Sequence, residues 1–200
     1  MKNLFFLTVA VALTAVFAGC NKNMDAPEVG VTINGVTWAT RNVDAPGKFA
    51  NNPQDAGMFY QWNRKKGWPV TGTVTGWPTT PASGTTWATA NDPCPTGWRV
   101  PTKSELAALV AAGTTFGTYN GVNGLYAGSA PDRIFLPLPG ERSPASGAID
   151  GIGKAGIYWS STQFNDGCAG ALEFYLPGSS VRIYDDLNKL CGFSIRCVKN

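Results

Sequence analysis

The hydrophobic pattern divides the chain into one leading apolar block and a long series of short segments. Leu4 to Phe17 is an apolar run behind the polar, singly charged Met1-Lys2-Asn3. At about 14 residues it falls short of the roughly 20 needed to span a bilayer and suits the core of an export signal. Beyond it, Val31-Thr32-Ile33 and Val36-Thr37-Trp38 flank Asn34-Gly35, which predicts a hairpin. Gly57 to Trp62 reads as an aromatic strand or turn. Lys66 to Pro95 is Gly/Thr/Pro-rich, carries Trp68, Trp77 and Trp87, and reads as a long surface excursion.

Thr102 followed by Glu105 forms a capping-box pattern. Leu106, Leu109 and Val110 supply an apolar face and Gly113 a stop, so a helix is predicted over about 102–112. The following Gly/Asn-rich stretch reads as a loop. Ile134–Leu138, Gly156–Ser161, Ala171–Leu176 (Leu172, Phe174 and Leu176 inward), Val181–Tyr184 and Phe193–Val198 read as strands. One main helix among several strands predicts an α+β domain with a mixed or antiparallel sheet and long loops.

The apolar block ends in Phe17-Ala18-Gly19-Cys20, small residues before a cysteine. This resembles the lipobox of bacterial lipoproteins. The resemblance implies cleavage after residue 19, a diacylglycerol on the Cys20 sulfur and a fatty acid such as palmitate on the new amine. Residues 20–30 then form a polar tether, and 31–200 one domain large enough for a real core. No acidic residue follows Cys20, which favours the outer membrane in a two-membrane host. Lys+Arg number 16 against 13 Asp+Glu, a near-neutral balance that makes nucleic acid an unexpected partner.

With Cys20 lipidated, Cys94, Cys168, Cys191 and Cys197 remain, an even set that reads as two disulfides in an exported protein. Four cysteines allow three connectivities. Alternation of Phe193, Ile195 and Cys197 turns Cys197 inward and suits a distant partner such as Cys94, leaving Cys168 and Cys191 to close a local loop. In the chain-entropy description a bridge over roughly 100 residues is worth about 4–5 kcal/mol and one over roughly 25 about 3.

Three ordered motifs carry a wider resemblance: Asn91-Asp92-Pro93-Cys94-Pro95-Thr96-Gly97-Trp98-Arg99-Val100-Pro101-Thr102, Tyr158-Trp159-Ser160-Ser161-Thr162, and Ser194-Ile195-Arg196-Cys197-Val198. With Val43–Gly47 and Asp55–Trp62 they resemble the Fibrobacter succinogenes major paralogous domain family, from about Val31 onward. That family is similar to the C-type-lectin-like superfamily, which also contains formylglycine-generating enzymes. The resemblance implies a C-type-lectin-like fold, a surface lipoprotein, and nested disulfides Cys94–Cys197 and Cys168–Cys191. Trp98 and Trp159 fall inside its motifs and are assigned to the core, and Arg99 to anchoring the loop around Cys94.

Candidate chemistry is sparse. The chain has no histidine, which excludes Ser-His-Asp and Cys-His mechanisms and His-ligated metals. Gly151–Gly156 satisfies GxGxxG but leads into a strand, so it reads as a glycine-rich turn. Paired cysteines would leave no reactive thiol for formylglycine chemistry, and the acids show no spacing that singles out a glycosidase pair. The chain is therefore not expected to be an enzyme and to need no cofactor. The lectin resemblance raises calcium at Asp185, Asp186 and Asn188, before Cys191. The proline-centred partner motif is missing, and the competing reading is a turn. Trp68 and Trp77, each followed by Pro, and Tyr184 are candidate ligand contacts. The competing reading folds the tryptophans back as a small core under the excursion. Two functions remain: a surface binding or adhesion module for a glycan or protein, or a structural accessory or tip subunit of a surface assembly.

Overall fold

A computed structural model describes residues 28–177 and 180–200. The expected export signal, Cys20 and most of the expected tether lie outside the described residues. Glu28 already belongs to the folded unit. Its carboxylate accepts from the Thr40 N–H and hydroxyl, both at 2.9 Å, and from Arg41 Nε at 2.7 Å. The tether thus ends earlier than its polar composition predicts.

The described residues form fourteen short strands. β1 (Val31–Ile33) and β2 (Val36–Trp38) form the first hairpin, β3 (Phe59–Tyr60) pairs β4 (Gly67–Trp68), and β5 (Trp98–Arg99) precedes helix α1 (Lys103–Ala111). β6 (Thr114–Tyr119), β7 (Val122–Ser129) and β8 (Asp132–Pro137) make an antiparallel sheet. β9 (Glu141–Arg142) pairs β10 (Ile149–Asp150). β11 (Ala155–Gln163), β12 (Cys168–Tyr175) and β13 (Val181–Asn188) make a second antiparallel three-stranded sheet. β14 (Val198–Lys199) lies between β2 and β5.

The expected α+β class is overturned: 41% of the structure is strand and 7% helical, in several small antiparallel sheets, so the fold is mainly β. The helix itself forms as its sequence dictates. The Thr102 hydroxyl accepts from the Glu105 N–H, and the Glu105 carboxylate accepts from the Thr102 N–H at 2.7 Å. Leu106 and Leu109 are buried, and Gly113 follows at φ +102°. But α1 packs on sheets as a single lid and makes no helical layer.

Two further differences explain the excess of strand. The stretch after α1 is a hairpin, with Asn120 and Gly121 at φ +47° and +81°, the geometry of a two-residue turn. It mirrors Asn34-Gly35 (φ +48° and +80°) in β1–β2. And β13 runs on through Asn188, beyond its expected end at Tyr184.

The expected strand Phe193–Val198 is instead a core thread. It touches its neighbours through isolated bridges, Tyr60 to Phe193 and Tyr158 to Ser194, before pairing at Val198. Residues Cys191 to Val198 are buried on both sides, Ser194 and Arg196 included. Around the thread Trp62, Trp159, Ile157, Phe193 and Ile195 form one apolar cluster; Trp38, Leu106, Leu125, Leu136 and Phe174 form a second. β11 runs along both clusters, and its Gly156 lies where any Cβ would sit 2.2 Å from the Phe174 ring.

The Lys66–Pro95 excursion is largely irregular and held from beneath. Arg142, fully buried, donates through Nε to the Pro69 carbonyl at 2.8 Å, through Nη2 to those of Thr71 and Gly72 at 3.1 and 3.0 Å, and through Nη1 to that of Gly147. A planar five-donor head suits four carbonyls that no strand satisfies. Burial pushes the Arg142 guanidinium pKa down.

Candidate functional site

Four distant segments converge on one open face. The Trp87–Thr102 segment, Lys65, Ser161 and Asn200 bound a polar hollow of about 660 Å³. Its frame is rigid for identifiable reasons. Cys94 is bonded to Cys197, 103 residues away, which fixes the hollow's floor to the core thread. Asp92 accepts from the Cys94 N–H at 2.8 Å and the Val100 N–H at 3.0 Å, closing the intervening loop. Burial raises the Asp92 pKa; those two bonds and the Arg99 and Lys65 charges oppose the rise.

Arg99 and Glu105 form a two-pronged ion pair, Nη1 to Oε2 at 2.9 Å and Nη2 to Oε1 at 2.6 Å. Because Glu105 also caps α1, the loop, the helix start and the hollow's rim share one carboxylate. The Arg99 hydrogen bond, aided by the Thr102 contacts, holds the Glu105 pKa down at about 2. Trp98 is half-buried, edge-on to Phe49 with centroids 5.5 Å apart. Trp87 is buried, with Nε1 donating to the Asn91 carbonyl.

A second hollow of about 500 Å³ lies across the short 3-10 turn Thr89–Asn91, and Lys65 lines both. Asn63, at φ +53°, stitches this dividing wall. Its Oδ1 accepts from the Ala88 N–H at 2.8 Å and from Asn91 Nδ2, and its Nδ2 donates to the Ser83 carbonyl. Arg64 donates to the Thr80 carbonyl, and Lys66 Nζ sits 3.9 Å from the Trp68 ring centroid. Arg64-Lys65-Lys66 was not singled out from the sequence: the near-neutral total conceals three consecutive cations, and a charge count in a short window finds them.

The residues expected to contact ligand are placed otherwise. Trp68 and Trp77 are buried, with centroids 5.0 Å apart, packed on Phe59 in a satellite core. Trp77 Nε1 donates to the Pro144 carbonyl at 3.2 Å. Neither is the exposed stacking platform considered from the sequence: the excursion folds back, as the competing reading has it, although Trp68 still walls the second hollow beneath Lys66. Tyr184 is half-buried on β13 opposite Ala171 and lines neither hollow.

Asp185, Asp186 and Asn188 lie on β13, in a strand where a turn or a calcium loop was considered. The register slips by one residue here, so Asp185 and Asp186 together face Gly170 in a β-bulge between β12 and β13. Asp185 pairs with Lys103, and Asn188 Oδ1 accepts from the Leu190 N–H. Among the described residues, no group of three or more His, Cys, Asp or Glu side chains is placed to hold a metal ion.

Of the two expected disulfides, Cys94–Cys197 is formed, whereas Cys168 and Cys191 are free thiols. Cys168 begins β12 opposite Asn188, and Cys191 sits past the turn that follows β13. Burial pushes the Cys191 thiol up to about 12, with Glu141 and Cys168 adding to the rise. Next to them Lys189 is buried, its Nζ 4.2 Å from the Trp62 ring centroid. Gly151 to Lys154 form the turn leading into β11.

Comparison with known proteins finds no matching family model, no matching curated protein and no matching solved structure.

Proposed function

We propose that the chain is an exported, lipid-anchored protein whose folded unit binds a glycan or protein at a bacterial outer surface. Its contact face is the open polar cleft around Cys94–Thr102. The cleft carries the reading: a hollow of about 660 Å³ has the size of a ligand site, and its walls are fixed by a disulfide, a two-pronged ion pair and a helix cap. Such pre-organisation cuts the ordering cost of binding. The lipobox ending at Cys20 and the resemblance of the Cys94–Thr102 motif to a domain family common on surface lipoproteins support the setting.

Arrays of glycans and extracellular proteins probed with the full chain in detergent test the reading. Specific binding weakened by Thr96→Glu, an exposed position on the cleft, supports it; absence of any specific ligand sinks it. Incorporation of labelled palmitate, abolished by Cys20→Ser, tests the anchor.

A second reading, a structural subunit of a surface assembly, is favoured by a different observation. Val122, Leu138, Pro139 and Ile152 surround an apolar hollow of about 220 Å³, and Ile152 is 58% exposed. Co-purification with filament subunits, lost on Ile152→Asp, distinguishes it.

A further inference from the structure

The two hollows and the three consecutive cations between them specify a ligand class more narrowly than the binding reading does. We infer that they form one groove for an acidic polysaccharide chain, with Lys65 at its centre and Arg64 and Lys66 along its second half; the inference rests on the cleft being a binding face.

The charge balance of the groove is one-sided. Arg64, Lys65, Lys66 and Arg99 line it, against the single acid Asp92 among the side chains of the two linings. Asp92 is turned to two backbone N–H groups, and Arg99 is neutralised by Glu105. The ion pairs among the described residues are Arg41–Glu28, Arg99–Glu105 and Lys103–Asp185, so none engages Arg64, Lys65 or Lys66. Lys65 and Lys66 are exposed. Lys65 borders both hollows, with Thr89 in the lining of the first and Asn91 in that of the second, so one exposed cation is shared by the two.

The walls favour sugar over other polyanions. Thr86, Thr89, Thr96 and Ser83 present hydroxyls at exposed positions, and the Asn91 amide faces the second hollow. These are matched donors and acceptors for ring hydroxyls. A single-stranded nucleic acid needs aromatic faces on which successive bases stack. Of the three tryptophans in the two linings, Trp68 and Trp87 are buried, with the Lys66 ammonium over Trp68, and Trp98 is half-buried against Phe49, so no row of open aromatic faces runs along the groove. An acidic peptide would draw its affinity from apolar or aromatic anchors filling pockets, and both hollows have mainly polar walls.

The test is a set of titrations of the full chain in detergent with polygalacturonate, dextran sulfate, neutral dextran, polyadenylate and polyglutamate. Saturable binding of polygalacturonate or dextran sulfate is expected, weakening about tenfold or more between roughly 50 and 500 mM salt. The two arms separate uronate carboxylates from sulfates. Lys65→Glu is expected to weaken it by about tenfold and Lys65→Ala by about threefold, as loss of one exposed charge contact implies. Lys154→Glu, outside the groove, leaves it unchanged, and an unaltered melting temperature shows that the Lys65 variants fold. Equal binding of polyadenylate or polyglutamate, or binding indifferent to Lys65→Glu, overturns the inference. Binding of neutral dextran alone overturns it while the broader binding reading stands. No binding of any polysaccharide overturns it too, and the protein arrays then decide the broader reading.

Discussion

Arg196 is fully buried and gives two hydrogen bonds to the Oδ1 of Asn42, 154 residues away, from Nε at 3.0 Å and Nη2 at 2.8 Å. Nη1 reaches the Ala39 carbonyl, and Asn42 in turn donates to the Ala56 carbonyl at 3.0 Å. Among the described residues no carboxylate pairs with the guanidinium, and burial pushes its pKa down to about 10. One amide therefore carries most of the solvation that a buried cation has given up.

Asn42→Leu is expected to cost about 3 kcal/mol, because it strands a buried charge. Arg196→Met removes the charge itself and is expected to cost less. Urea unfolding of the two variants reads the order directly; equal losses would show that the pair matters only as packing.

Acid should loosen the cleft before the core. The Glu105 pKa lies near 2 in the folded chain, below its ordinary value of 4.5. A depressed carboxylate contributes stability that is present above about pH 4.5 and lost as pH falls toward 2. Glu105→Gln should flatten this part of the stability profile, measured as melting temperature against pH. An unchanged slope would assign the acid sensitivity to other carboxylates.

The thiols offer a sharp count. In the denatured, unreduced chain, alkylation is expected to tag Cys168 and Cys191 and to spare Cys94 and Cys197. In the native chain near pH 8, Cys168 should react faster, because the Cys191 thiol is buried and pushed up to about 12. A denatured chain with neither Cys168 nor Cys191 tagged would mean that the two pair in the exported protein.

Trp68→Ala and Trp77→Ala are expected to destabilise by about 3 kcal/mol each, the usual result of emptying a buried indole site. Neither removes an exposed stacking face, and Trp77→Ala leaves both hollow linings intact, whereas Trp68 walls the second hollow. Melting temperatures together with the binding titrations separate the two effects: loss of binding at unchanged stability would return these residues to the ligand face.

Local signals were legible where a few adjacent residues decide the outcome. The Thr102/Glu105 cap and the Asn34-Gly35 turn need no tertiary context, and both form. The same reasoning applied to Asn120-Gly121 yields the β6–β7 hairpin, but its flanks, Thr114–Tyr119 and Val122–Ser129, are too rich in Gly and Thr to show clean alternation. Passing over that hairpin gave the single helix excess weight and led to the α+β expectation. Phe193, Ile195 and Cys197 alternate as a half-buried strand would. Ser194 and Arg196 are nevertheless buried, because Arg196 found Asn42, and no local pattern announces a partner 154 residues away. The cleft was illegible for the same reason: residues near 65, 87–102, 161 and 200 meet only in three dimensions. Of its parts, the Asn91–Thr102 motif, Trp87 and Ser161 stood out beforehand, but nothing local brings them together.

The core thread also sets an order of events. A chain extended only as far as Leu190 lacks β14, the strand that joins β2 to β5, and lacks Phe193, Ile195 and Cys197, which pack in one cluster with Trp62, Trp159 and Val43. Folding therefore cannot be completed piecemeal as the polypeptide emerges from a channel. Closure of this core and the Cys94–Cys197 bond wait for residues 191–198. For a chain read as crossing a membrane unfolded, such late closure keeps the segment still in transit free of a collapsed body that would jam its passage.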